Sequence, residues 1–345
     1  MNIRVAGEPL IKFAALVLVG PDPSDLNRLT DLLESLLFYE PLLSWCVLVD
    51  DADPRRENLV GQFRFPQTCT QLTLANPRLG KGPGWLGGAC TGVLHGIAWI
   101  QKHTDAAFVL KIDTDALVIA PFSSAVHEAF LRKPDTGLVG SKNGAVAGYA
   151  SGDNIMDNEV SPFVAALQNV PEFDASSFSL DESLGIEIPG YGIATAQQLR
   201  AFQSIRPHIK EAIANGYYWP EHCAGGAYAI SSEMLRRMSA RTYLRDPTLW
   251  SEFPFPEDFM IGMYARAVGM EVSDLSSTGE PFAVTWRGLA FSPRILSALG
   301  YSIIHSVKND ANYSESEIRR FFSERRTGIA GQLNPTQEGR LGAHC

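Results

Sequence analysis

Two kinds of apolar pattern alternate along the first third of the chain. Unbroken or nearly unbroken runs occur at residues 13–19 (FAALVLV), 45–49 (WCVLV) and 108–112 (FVLKI, interrupted only by Lys111), with the length of buried strands. After the first run, Gly20-Pro21-Asp22-Pro23 breaks the strand. Leu26, Leu29, Leu32, Leu33, Leu36 and Leu37 then recur at helical spacing until Pro41, with Ser24 expected as the cap. A third strand is predicted over 71–74, and a helix near 88–102. Strands alternating with helices over the first 120 residues predict an α/β fold with a doubly wound, mainly parallel sheet flanked by helices. In such sheets ligands bind beyond the carboxyl ends of the strands.

Farther along, a helix is predicted over 123–132 and a strand over 137–140. A helix over 195–214 is broken or kinked at Pro207, and further helices follow over 231–238 and 259–268, the latter closed by Gly269. Residues 301–307 read as a strand carrying His305. Ser314 and Glu317 form a capping-box pattern for a last helix bearing Ile318, Phe321 and Phe322, which Gly328 is expected to end, with a loose tail from Ile329.

At 345 residues with 45% hydrophobic and 19% charged positions, disordered, collagen-like and small disulfide-rich classes are excluded. The net charge of -9 argues against an electrostatic nucleic-acid partner. Residues 151–190 hold eight acidic side chains and no Lys or Arg, so that the rest of the chain carries -9 plus 8, or -1. That run is either a solvated insertion or a lid that attracts a cationic, amine-bearing substrate. Cys46, Cys69, Cys90, Cys223 and Cys345 are odd in number and widely spaced, as buried thiols in a reducing compartment would be. The apolar run near the start, 13–20, is too short to span a bilayer, so no transmembrane segment and a cytoplasmic location are expected.

The chemistry concentrates at strand ends. Asp113-Thr114-Asp115 terminates the 108–112 strand, and residues two apart on an extended backbone return to one side, so both carboxylates can converge on one cation. Mg2+ and Mn2+ prefer oxygen ligands and are held by one or two carboxylates plus substrate phosphates. The motif thus predicts a nucleotide-diphosphate site, the alternative being a strand-end turn whose aspartates face water. Asp50 and Asp51 occupy another such tip. No G-x-G-x-x-G follows the first strand, and Gly80-Lys81-Gly82-Pro83-Gly84 lacks a Walker ending. The loop is either a phosphate contact through Lys81 or a flexible connection. Gly225 and Gly226 allow backbone to run close to a ligand, or reflect tight packing. Glu257 and Asp258 follow Pro256 as helix-start residues commonly do, and His305 reads as structural or as a ligand.

In chain order, LVDDADP, KIDTDALVI, YWPEHCAGGAYAIS and PFPEDFMIGMYARAVGM resemble the metal-dependent glycosyltransferases of the GT-A fold, and the last two are more specifically similar to segments of the β1,3-glycosyltransferases of family 31. The resemblance implies Asp115 and His305 as ligands to Mn2+ or Mg2+, and Asp113 on the metal or the ribose. It implies Asp50 or Asp51 on the base or ribose of a UDP-sugar. It also implies Asp258, with Glu257 as the fallback, as the base that deprotonates an acceptor hydroxyl in an inverting transfer. Residues 1–312 would then form one GT-A domain, with a nucleotide-binding half at 10–120 and an acceptor-side half at 121–312 that contains the acidic insertion, 143–195. The remainder, 313–345, would be a C-terminal helix and tail. Two alternatives are a sugar-nucleotide pyrophosphorylase, which GPDPSDLNR fits poorly, and a catalytically silent carbohydrate-binding protein. The chain departs from the resemblance in Asp-Thr-Asp, where three aspartates are frequent, and in the acidic insertion.

Overall fold

The strand-forming runs of the amino-terminal third meet in one sheet. The computed structural model describes residues 11–333 except 83, 148, 151–182, 189–191, 219–220 and 254. The strands β1 (Phe13–Val19), β2 (Trp45–Asp50), β3 (Thr70–Ala75) and β4 (Phe108–Asp113) lie in the order β3-β2-β1-β4, all parallel. The short β5 (Leu117–Val118) follows β4 directly, and then come β6 (Thr136–Lys142) and two antiparallel pairs, β7 (Ala145–Val146) with β8 (Tyr149–Ala150) and β9 (Ser183–Ile188) with β10 (Gly192–Thr195). The sheet continues from β4 through β11 (Cys223–Ser231) and β6 to β12 (Glu271–Asp274). In it β11 runs antiparallel to both neighbours, and the other six strands are parallel to one another. A separate small sheet joins β13 (Phe282–Val284), β14 (Ile303–His305) and β5.

Both faces of β1 are buried, which is why its sequence is apolar without alternation. Phe13, Ala15, Val17 and Val19 face Leu29, Leu32, Leu33 and Leu36 of α1 (Pro23–Tyr39), together with Val126 and Phe130 of α3 (Ser123–Arg132). Ala14 and Leu16 face the other way, toward α2 (Ala89–His103), α4 (Ala196–Ala214), α5 (Ser232–Ala240) and α6 (Glu257–Ala267). The four α1 leucines are at most 2% exposed, each contributing about 1.5–3 kcal/mol of burial energy. Gly96 of α2 lets that helix press on the sheet, since a Cβ there would lie 2.3 Å from Leu16.

Several boundaries differ from expectation. The cap of α1 is Asp22, whose carboxylate accepts the Ser24 N–H at 2.7 Å, so that Pro23 takes the first turn where its missing N–H costs nothing. Helix α6 starts at Glu257 rather than Phe259, directly after Pro256. Past α7 (Pro293–Ala298), the capping box at Ser314 and Glu317 forms as expected, but Gly328 does not end the last helix: α8 runs Glu315–Leu333. Glycine in a helix interior costs only about 1 kcal/mol. Against that, Ile318 and Phe322 are buried, and Arg319 and Arg326 both pair with Asp31 of α1, at 2.8 and 2.6 Å. Cys46, Cys69, Cys90 and Cys223 are buried thiols. The readings for most of the acidic run, for Cys345 and for the tail beyond 333 lie outside the described residues. Among those described, no helix is long and apolar enough to cross a membrane.

Candidate active site

Register places the candidate residues at one edge. Val19 pairs with Asp50 and Leu18 with Asp113, so both aspartates stand at the carboxyl edge of the parallel strands. Because β11 is antiparallel and pairs Ala227 with Ile112, the residues that precede Ala227, Gly225 and Gly226, arrive beside the end of β4. The turn after Asp113 leads into β5, whose Leu117 pairs with Ile304, and this brings His305 alongside Asp115.

Asp113, Asp115 and His305 converge there. Each offers one ligand atom, these atoms lie within 4.8 Å of one another, and the group could hold a metal ion. The His305 Nδ1–H donates to the Thr285 carbonyl at 2.7 Å, which leaves Nε2 to face Asp115 Oδ1 at 3.3 Å. Fixing one imidazole nitrogen through a backbone carbonyl presents the other as a ligand, as metal-binding histidines require. Asp115 Oδ2 accepts from Ser306 Oγ at 2.8 Å and faces Lys308 Nζ at 3.1 Å. Burial opposes the Asp115 anion, but His305, Lys308 and Ser306 outweigh it and hold the carboxyl well below the usual carboxylate range. Burial likewise opposes a charged His305, and Asp115 more than offsets it, raising the imidazole above its ordinary value. Two carboxylates and an oriented imidazole are a donor set suited to Mn2+ or Mg2+.

Gly226 makes room for this arrangement. A Cβ on it would lie 2.1 Å from His305 Cγ, so a side chain at 226 and the imidazole cannot coexist. Gly226→Ala is therefore expected to cost about 1–3 kcal/mol of stability and to weaken Mn2+ binding roughly tenfold or more. Thermal unfolding and a Mn2+ titration check this, and an unchanged Mn2+ affinity would separate the imidazole from the ion. At Gly225 an added Cβ would meet Glu257 Oε2 at 3.0 Å and Asp258 Oδ2 at 3.3 Å. The paired glycines thus lie against the site's own side chains.

Asp258 Oδ2 accepts the Gly225 N–H at 3.1 Å, and His222 Nε2 lies 3.9 Å from the same oxygen. Glu257 is more enclosed, accepting from the Tyr228 hydroxyl and from Lys111. Burial pushes its carboxyl up to about 7, against the pull of Lys111 and with Asp258 and Asp113 adding to the rise. Asp50 and Asp51 have internal partners. Arg56 reaches Asp50 Oδ1 at 2.6 Å, while Arg78 grips both oxygens of Asp51 and donates to the carbonyls of Lys81 and Gly82. The Lys81 residue itself is exposed.

Lys111, Thr285, Ser306, Lys308, Arg56 and Arg78 were not foreseen as parts of this edge. Only Lys111 carried a signal, as a charge in the middle of an otherwise apolar strand.

No protein-family model matches the chain, and no curated protein sequence matches it. Among solved structures, mouse xyloside xylosyltransferase 1 in its apo form is similar at 10% identity and a TM-score of 0.39, over 77% of this chain and 85% of that one. The apo structure of WbbM, a bifunctional glycosyltransferase, is similar at 11% identity and a TM-score of 0.43, over 91% of this chain and 52% of that one.

Proposed function

We propose that this chain is a metal-dependent glycosyltransferase of GT-A architecture. In this reading it moves a sugar from a nucleotide-sugar donor, a UDP-sugar, to an acceptor hydroxyl with inversion of the anomeric centre. The observation that carries it is the convergence of Asp113, Asp115 and His305 at the carboxyl edge of the sheet, with Asp258 near by on Gly225. Asp113, Asp115 and His305 would hold a divalent ion, which when bound would supply positive charge where the diphosphate leaving group gains negative charge. Asp258 takes the proton of the acceptor hydroxyl. The freed oxygen pair forms the bond to the anomeric carbon, and the bond from that carbon to the phosphate oxygen breaks with its pair leaving on the nucleoside diphosphate. Asp50 and Asp51, together with the arginines that hold them, would line the nucleoside side. The acidic run 151–190 would favour an amine-bearing acceptor.

The test is calorimetric titration of UDP into the metal-free protein, with and without Mn2+. Binding that tightens about tenfold or more with the ion is expected, because the ion would bring positive charge to the diphosphate. UDP affinity that ignores Mn2+ would overturn the metal-dependent reading.

A further inference from the structure

Lys111 is 2% exposed in the middle of β4, and nothing in the chemistry described so far requires a cation there. An ammonium has three N–H donors and no acceptor. Here they have three acceptors: Asp113 Oδ1 at 2.8 Å, Glu257 Oε1 at 3.1 Å, and the Gly225 carbonyl. The Tyr228 ring lies 5.5 Å from Nζ, and its hydroxyl donates to the same Glu257 oxygen. Each acceptor belongs to a different part of the site. Asp113 is one of the carboxylates that could hold a metal, Glu257 opens the helix whose next residue is Asp258, and Gly225 donates its N–H to Asp258.

We infer that Lys111 is a positioning residue that couples the metal cluster to the base-bearing start of α6, a role that rests on the proposed metal site. The ammonium is shared between two carboxylates, so a change at either one is felt by the other. Neutralising Glu257 lets the ammonium settle on Asp113 and compete with the metal for that carboxylate. Drawing Asp113 onto a metal lets the ammonium settle on Glu257 and on Gly225, which holds Asp258. A buried lysine that only balanced local charge would show the opposite pattern. Losing Glu257 would then change metal affinity by the same factor whether or not Lys111 was present.

The experiment is a cycle of Mn2+ dissociation constants for the full chain and for Glu257→Gln, Lys111→Met and the double variant, with circular dichroism to verify the fold of each. Glu257→Gln is expected to weaken Mn2+ binding roughly tenfold, by freeing the competing cation, and to change it by less than about twofold once Lys111 is methionine. Lys111→Met alone strands Glu257 and can unfold the chain. In that case the comparison of Glu257→Gln with the double variant carries the test, since the double variant is expected to regain at least the parent affinity. Equal effects of Glu257→Gln in both backgrounds, or a double variant as weak as Glu257→Gln, would overturn the coupling while leaving the metal site intact. Failure of the parent to bind Mn2+ would instead overturn the metal reading, and the coupling with it.

Discussion

Asp115→Asn is expected to abolish metal-dependent nucleotide binding, weakening the Mn2+-supported affinity for UDP by about 100-fold or more. The replacement keeps the size of the side chain and removes its charge at the point where the cluster is most tightly drawn together: His305 at 3.3 Å, Lys308 at 3.1 Å and Ser306 at 2.8 Å. Lys308 is 43% exposed and can turn to solvent, and His305 can give up its proton, so the fold should survive. The same geometry sets a pH dependence of metal-free stability. Asp115 lies below its ordinary value when folded, so its contribution is present above the unfolded carboxyl value and is lost as pH falls through the folded one. His305 lies above its ordinary value, so its contribution is full below the unfolded imidazole value and is lost as pH rises through the folded one. The stability gap between parent and variant in urea should therefore be widest between about pH 4 and 6.5. A variant whose UDP affinity stays within threefold of the parent in Mn2+ would remove Asp115 as a ligand.

The parts of this site that could be read in the sequence are those whose chemistry is local. Asp113 and Asp115 are two residues apart at a strand end, and that spacing alone brings them to one side. Ser314 and Glu317 announce a cap for the same reason. What could not be read depends on which strand lies beside which. β11 runs antiparallel, and only that direction carries Gly225 and Gly226 to the end of β4; the glycine pair could equally have been packing or a ligand contact until its neighbours were known. His305 reaches Asp115 through the pairing of β14 with β5, a contact between residues nearly 190 positions apart that no periodicity encodes. Asp50 and Asp51 were legible as a strand tip, but not Arg56 and Arg78, which hold them from loops of irregular structure. A glycine is read as a stop from local propensity, whereas at Gly328 the helix continues because its own Arg319 and Arg326 pair with Asp31 of α1, a different helix.

Asp258→Asn is expected to lower the turnover number for sugar transfer by about 1,000-fold while leaving the donor KM within a few-fold of the parent. The two carboxylates at the start of α6 differ in what they can still do. Glu257, with its side chain 8% exposed, is committed to Lys111 and Tyr228, whereas the Asp258 side chain is 19% exposed. Asparagine in place of Asp258 retains an oxygen to accept the Gly225 N–H, so the backbone around Asp113, Asp115 and His305 should keep its path and the loss should fall on the proton-accepting step. His222, 3.9 Å from Asp258 Oδ2, is a second titratable group within reach. If residual turnover of Asp258→Asn disappeared on further replacement of His222 by glutamine, the imidazole would be the substitute base in the variant. Turnover of Asp258→Asn within tenfold of the parent would remove Asp258 from the reaction. Product stereochemistry gives an independent reading, because a base that activates the acceptor on the face opposite the leaving group can yield only the inverted anomer. A retained anomer would therefore require either a covalent intermediate on a carboxylate or attack on the leaving-group face, and the role of Asp258 would have to be reassigned.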